Sequence, residues 1–254
     1  MKKTLVLTAV FVVLTALLLS IAINAAGYIG EPDGKSINAA PQEAIRFVND
    51  IYGKTLKKLT GGGKPHDFGL GSWDDIEKLS MTDCFRVHTV DFSYGPVTER
   101  TIRGRLKTEN EVWLFTFALN GVPKVYISII KDGDSYSFLE LAGYEEYAAI
   151  AQMKMVELMG EKAVDSLYYI TDAVQTHFLA VCDGKEYVLS ANDLSIYDAY
   201  SKNAELCSEL GVPMEAVDYA IKAHDALLNA KTVKDLPGTE SLRAWLDWSK
   251  GMGD

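Results

Sequence analysis

Cysteine is scarce in this chain, with three in 254 residues, at Cys84, Cys182 and Cys207. At most one disulfide can close within a monomer, so a disulfide framework is excluded and the fold must rest on burial and hydrogen bonding. Histidine is nearly as rare: the four, His66, His88, His177 and His224, show neither H-E-x-x-H nor a Cys/His spacing that suits zinc. Basic side chains are outnumbered, 25 against 35 acidic, for a net charge of −10. Such a balance argues against a nucleic-acid partner, because phosphate binding needs clustered Lys and Arg. One local basic group, Arg100, Arg103, Arg105 and Lys107, alternates along the chain and predicts the solvated face of a strand.

Catalytic and cofactor signatures are missing as well. G-x-S-x-G and G-x-G-x-x-G are absent, since Gly69-Leu70-Gly71-Ser72 lacks the third glycine and a preceding strand. Gly63-Lys64 resembles the end of a phosphate loop, but Lys58 stands where that loop needs glycine and Pro65 where it needs Ser or Thr. Asp132-Gly133-Asp134 opens like a calcium loop, yet Tyr136 and Ser137 fill the positions of a ligand and a glycine. It reads as a turn. A cysteine nucleophile needs a base in hydrogen-bond reach. His88, four residues after Cys84 on one strand face, lies about 13 Å away at ~3.3 Å per residue. His177, five before Cys182, points to the opposite face. No residue is therefore assigned to catalysis, cofactor binding or metal binding, and no cofactor is expected.

What is present begins with Lys2 and Lys3, an apolar run from Leu5 to Ile23, and small residues at Ala25, Ala26 and Gly27. This order predicts a signal peptide over residues 1–26, cut after Ala25 or Ala26, or an uncleaved membrane anchor, because the run nears the ~20 residues that span a bilayer. Either places the remainder outside the cytoplasm. Removing this segment leaves 23 basic against 35 acidic side chains, a net charge of −12. Residues 27–40 carry Gly, Pro, Asp, Ser and Asn without periodicity and predict a linker.

Residues 41–192 predict an α+β domain. Pro41 opens a helix to Leu59, with Ala44, Ile45, Val48, Ile51, Tyr52 and Leu56 at helical spacing. A short helix capped by Ser72 follows over Trp73–Leu79, and strands over Cys84–Phe92 and Val97–Leu106. Val112–Leu119, Lys124–Ile130 and Ser135–Leu141 then form a β-meander, joined by Asn120-Gly121 and Asp132-Gly133, which suit turns with φ > 0 at both central residues. Period two places Trp113, Phe115, Phe117 and Leu119 on one face, and Val112, Leu114, Thr116 and Ala118 on the other. A second helix over Tyr144–Met159 is followed by strands over Ala163–Ile170, Thr176–Cys182 and Lys185–Ser190. Phe115–Ile127, with its Asn-Gly turn, is faintly repeated in Phe178–Leu189, with its Asp-Gly turn.

Residues 193–254 change to helical texture up to Gly211, from Pro213 past Leu228, and after Thr239, and are expected to pack on the same domain rather than form a second one. A helix followed by antiparallel hairpins resembles the cystatin-like and NTF2-like architectures, which implies a curved antiparallel sheet wrapped on a helix. The cystatin Q-x-V-x-G is missing, because Gln175 leads into Thr176, His177, Phe178 and Leu179. Protease inhibition is not carried over.

The expectation is an exported, non-catalytic binding or interaction module whose partner is a protein or glycan at the cell surface, touching membrane only through an uncleaved N-terminal segment. The alternatives are an extracytoplasmic hydrolase using Cys84, Cys182 or a carboxylate pair, and a structural accessory subunit held by a helix presenting Trp245 and Trp248.

Overall fold

Why the chain folds as it does is clearest at Phe115, which alternation turns toward one helix while its neighbours Leu114 and Thr116 turn toward another. The computed structural model describes residues 28–29, 40–59, 64–90, 102–159, 164–171, 176–209, 211–212, 214–239 and 242. The helices are α1 (Gln42–Leu59), α2 (Glu146–Met159), α3 (Ala191–Lys202), α4 (Ala204–Glu209) and α5 (Met214–Asn229). The strands are β1 (Tyr28–Ile29), β2 (Ser80–Val90), β3 (Leu106–Leu119), β4 (Val122–Asp132), β5 (Ser135–Gly143), β6 (Ser166–Thr171), β7 (Thr176–Cys182) and β8 (Lys185–Ser190). They make one mixed, mostly antiparallel sheet in the order β5-β4-β3-β2-β6-β7-β8, with β1 also parallel to β2. Within the stretch expected to be a linker, Tyr28 and Ile29 thus pair with Cys84 and Phe85, and Ala40 is buried.

Helices lie on both faces of the sheet. Ala44 and Val48 of α1 join Trp113, Phe115, Phe117, Val125, Ile127 and Ile129 in one core, where Tyr52 stacks on Phe117 with ring centroids 4.3 Å apart. Ala151 and Met155 of α2, Leu194 of α3 and Ala223 of α5 join Phe85, Leu114, Phe178 and Leu189 in a second core on the other face. The C-terminal helices therefore share a core with the sheet. A third core, on the α1 side of β6–β8, gathers Tyr168, Ile170, Leu179 and Val188 under Ile102 and Leu242.

The faint hairpin repeat has a counterpart in space. Cys84, Phe115 and Ile127 form one cross-strand row facing α1, and Tyr169, Phe178 and Leu189 form another facing α2. Each half is a helix followed by a meander, and β2 and β6 meet in parallel. This topology is that of two units related by an approximate two-fold axis along the strands, which puts their helices on opposite faces. The expected antiparallel sheet packed on helices is present, and the parallel join of β2 and β6 and the helices on the second face add to it.

Two local expectations are corrected. The described part of the strand expected over Val97–Leu106 is instead a 3-10 turn at Arg103–Arg105, because the Glu186 carboxylate accepts the backbone N–H groups of Ile102 (2.7 Å) and Arg103 (3.2 Å) and bends the chain. Residues 97–101, Arg100 among them, lie outside the described residues. The basic group is accordingly no solvated strand face: Arg105 is buried and Arg103 pairs with Glu186. The second correction concerns the turn after β4, whose central residues are Gly133 and Asp134, since Asp132 pairs with Ser135. Positive φ is needed only at Gly133 (φ +59°), as in a type II′ turn. Asn120-Gly121 and Asp183-Gly184 do carry positive φ at both central positions. The helix expected over Trp73–Leu79 is a 3-10 helix over Trp73–Lys78, entered as expected at Ser72, whose N–H donates to Asp75 Oδ2 at 3.1 Å.

Candidate functional site

The face of β2–β5 turned away from α1 is only partly roofed by α2, and a cavity of about 530 Å³ remains there. The equivalent face of β6–β8 is closed by Ile102 and Leu242. Incomplete cover of one half of a repeated architecture is thus the physical origin of the site.

Two cross-strand rows of side chains and a tyrosine build its floor. Phe85, Leu114, Ser128 and Glu140 are successive cross-strand partners over β2, β3, β4 and β5, and the last three line the cavity. Val87 and Val112 form the next paired row. Tyr126, two residues before Ser128, stands on the same face, its ring in edge contact with Tyr144 (centroids 6.1 Å apart). On the far side Tyr169, Thr171 and Thr176 close the wall. Leu139, the extra residue of a bulge between the pairs Ser128–Glu140 and Ile129–Phe138, forms the rim and is half exposed. A bulge of this kind re-aims a side chain; here it tips an apolar group over the opening.

The entrance to α2 supplies the remaining wall. Glu145 caps that helix, its carboxylate accepting the N–H groups of Tyr147 (3.2 Å) and Ala148 (3.0 Å). Gly143, just before it, sits under the backbone of the 3-10 turn Pro65–Phe68: a Cβ there would fall 2.5 Å from the Asp67 carbonyl oxygen. Only glycine lets β5 end against that turn.

Polar groups are placed deliberately in this apolar setting. Tyr126 Oη donates to Glu140 Oε2 at 2.8 Å, and burial, then Glu140, hold that phenol well above the usual tyrosine range. Tyr144 is pushed up likewise, chiefly by burial. These phenols stay protonated and are not poised as bases. Ser128 is 5% exposed and its Oγ has no hydrogen-bond partner among the described residues, an arrangement that costs about 1–3 kcal/mol unless something fills it. Among the described residues no Lys, Arg or His lines the cavity.

Beside the site, under α2, Gln152 Nε2 donates to Asp83 Oδ2 (2.6 Å) and Thr116 Oγ1 (3.0 Å). Burial raises the Asp83 carboxyl above its ordinary value. Gln152 and Thr116 are fully buried, so this network ties α2 to the sheet and is closed to substrate.

None of the described cysteines and histidines weighed for chemistry lines the cavity. Cys84, Cys182 and Cys207 are free thiols, and burial pushes the Cys84 thiol up to about 11. Brief native labelling with iodoacetamide at neutral pH is expected to leave Cys84 intact and to proceed fastest at half-buried Cys182, read by peptide mass. Rapid modification of Cys84 would overturn the inert reading. His177 Nδ1 meets Ser190 Oγ at 2.9 Å, which looks like a catalytic dyad, but both residues are 1% exposed and the same Oγ accepts the Asp193 N–H as helix cap of α3. His88 packs edge-on against Tyr168, His224 stacks on Tyr197, and His66 lies beside Asp67 at the surface. Among the described residues no three His, Cys, Asp or Glu side chains converge as metal ligands, and no helix is long and apolar enough to cross a membrane. The N-terminal segment 1–26 and the tryptophans Trp245 and Trp248 lie outside the described residues.

A second depression, of about 800 Å³, runs along α5 past Tyr219, Lys222 and Asp225. Lys222 and Asp225 are exposed and of opposite charge, and among the described residues no buried polar group is left unmatched along it.

No protein-family model, curated protein or solved structure matches the chain.

Proposed function

We propose that this protein is an exported, non-catalytic binding module that takes a small ligand in the cavity between β2–β5 and the start of α2. The observation that carries this reading is Ser128: a buried hydroxyl without a partner, on an apolar floor flanked by Leu114 and Glu140. Ligand sites are typically concave, largely apolar and preformed, with a few convergent polar groups that fix orientation. Export is supported by the order of charged, apolar and small residues in 1–26, and the non-catalytic character by phenols held protonated and thiols held away from the opening.

The test is a small-molecule fragment screen on the mature protein, read by NMR of methyl groups. Binding fragments are expected to shift Val87, Val112, Leu114 and Leu139 together, and Ser128→Leu, checked for native melting, is expected to weaken them at least tenfold. Shifts that cluster elsewhere, or that survive Ser128→Leu unchanged, would defeat the proposal.

A further inference from the structure

Resting on that reading of the cavity, we infer that its ligand is a small organic cation, an ammonium group on an apolar or aromatic body, with the ammonium held between Ser128 and Glu140. Three observations converge on it. Ser128 and Glu140 are directly opposed across β4 and β5, on the same face of the sheet, so their side chains lie within about 5 Å at Cβ. An ammonium between them has an acceptor on each side: the Ser128 Oγ, unmatched among the described residues, and the Glu140 carboxylate, whose Oε2 takes the Tyr126 hydroxyl. That hydrogen bond fixes the carboxylate before the ligand arrives, which lowers the ordering cost of binding.

The surroundings discriminate by charge. Tyr126, Tyr144 and Tyr169 line the cavity, and a cation seated over an aromatic ring is attracted to it. Among the described residues the charged groups on the lining are Glu140 and Glu145, both acidic, so an anionic ligand meets repulsion from both. A neutral ligand of the same shape leaves the Glu140 carboxylate without its charge partner. Leu114, Val112 and Leu139 supply the apolar wall for the rest of the molecule, and a cavity of about 530 Å³ admits a ligand with a single ring and a short chain.

The experiment uses three probes with one body and different heads: 2-phenylethylamine, 2-phenylethanol and phenylacetate, titrated into the mature protein by calorimetry at pH 7. The amine is expected to bind at least tenfold tighter than the alcohol and the carboxylate weakest of all. Glu140→Gln, at an exposed position where the amide oxygen can still accept the Tyr126 hydroxyl, is expected to cut the amine's affinity about tenfold and to change the alcohol's far less. Equal affinity for amine and alcohol, or an amine affinity indifferent to Glu140→Gln, overturns the cation assignment. If the alcohol binds and Ser128→Leu abolishes it, the cavity stands and only the charge preference fails. If none of the three binds, or all binding survives Ser128→Leu, the cavity reading falls with it.

Discussion

Trp113→Ala is expected to lower the unfolding free energy by about 3–5 kcal/mol, the range for deleting a fully buried aromatic side chain, measured by urea denaturation. Trp113 is 2% exposed and belongs to the core under α1. Its loss opens a cavity that β3 and β4 cannot close, because both are fixed by ladder bonds to neighbours on each side. The indole also has a polar duty: Nε1 donates to Glu111 Oε1 at 3.0 Å, the same oxygen that accepts the Tyr136 hydroxyl at 3.0 Å. Lys131 Nζ lies 3.3 Å from the other carboxylate oxygen. Glu111 therefore keeps two partners when the indole goes, and the loss is dominated by packing. Trp113→Phe separates the two contributions, since it restores most of the volume without the N–H donor; it is expected to recover more than half of the lost stability. A cost below 1 kcal/mol for Trp113→Ala would mean that the α1 face is not a close-packed core.

Both faces of β3 were legible in the chain because period two is a strong signal where every other residue is large and apolar. Trp113, Phe115 and Phe117 do face α1, and Leu114 faces α2. The Asn-Gly and Asp-Gly pairs located all three hairpins, but only ladder pairing decides which residues occupy the centre of a turn. That is why Gly133 and Asp134, not Asp132 and Gly133, form the centre of the second. The basic run at Arg103 misled for a different reason. Its alternation is compatible with a strand, and what bends it is Glu186, more than eighty residues away in sequence. No local pattern carries such a contact.

The candidate site was less legible. Its polar residues come from separate strands and from the start of a helix, and a binding geometry scattered in this way has no spacing to detect. A faint trace exists in β4: Ser128 interrupts Val125-Tyr126-Ile127 and Ile129-Ile130, a polar residue at a position where alternation demands burial. Thr116 interrupts β3 in the same manner and is explained by Gln152 and Thr82. Ser128 has no such explanation. The difference between a satisfied and an unsatisfied buried hydroxyl is invisible in a sequence and decisive in three dimensions.

Acidification should expose a second consequence of burial. His88 and His177 are 2% and 1% exposed, and burial depresses each to about 4, with Arg86 adding to the effect at His88. In the unfolded chain both return to the ordinary histidine value near 6.5. Because the folded value is the lower one, the unfolded state binds more protons between the two, and stability rises with pH across that window. It is complete above about 6.5 and is lost as the pH falls toward about 4, by up to about 3 kcal/mol for each histidine. Asp83, whose carboxyl is raised by burial, has the opposite sign: it favours the folded state as acid is added and trims the loss. Glu111 is lowered in the folded state, by the hydrogen bonds from Trp113 and Tyr136 and by Lys131 acting against burial. Its contribution disappears only once the pH reaches the carboxylate range, below the start of the histidine window. Urea midpoints taken at intervals from pH 7.5 to 4 should therefore begin to fall near 6.5, ahead of any carboxylate titration. His177→Asn keeps a polar group near Ser190 and cannot titrate, so it should remove about half of the early slope even where it costs stability at neutral pH. A midpoint flat from 7.5 to 5 would show that both imidazoles are protonated as readily inside the fold as outside it.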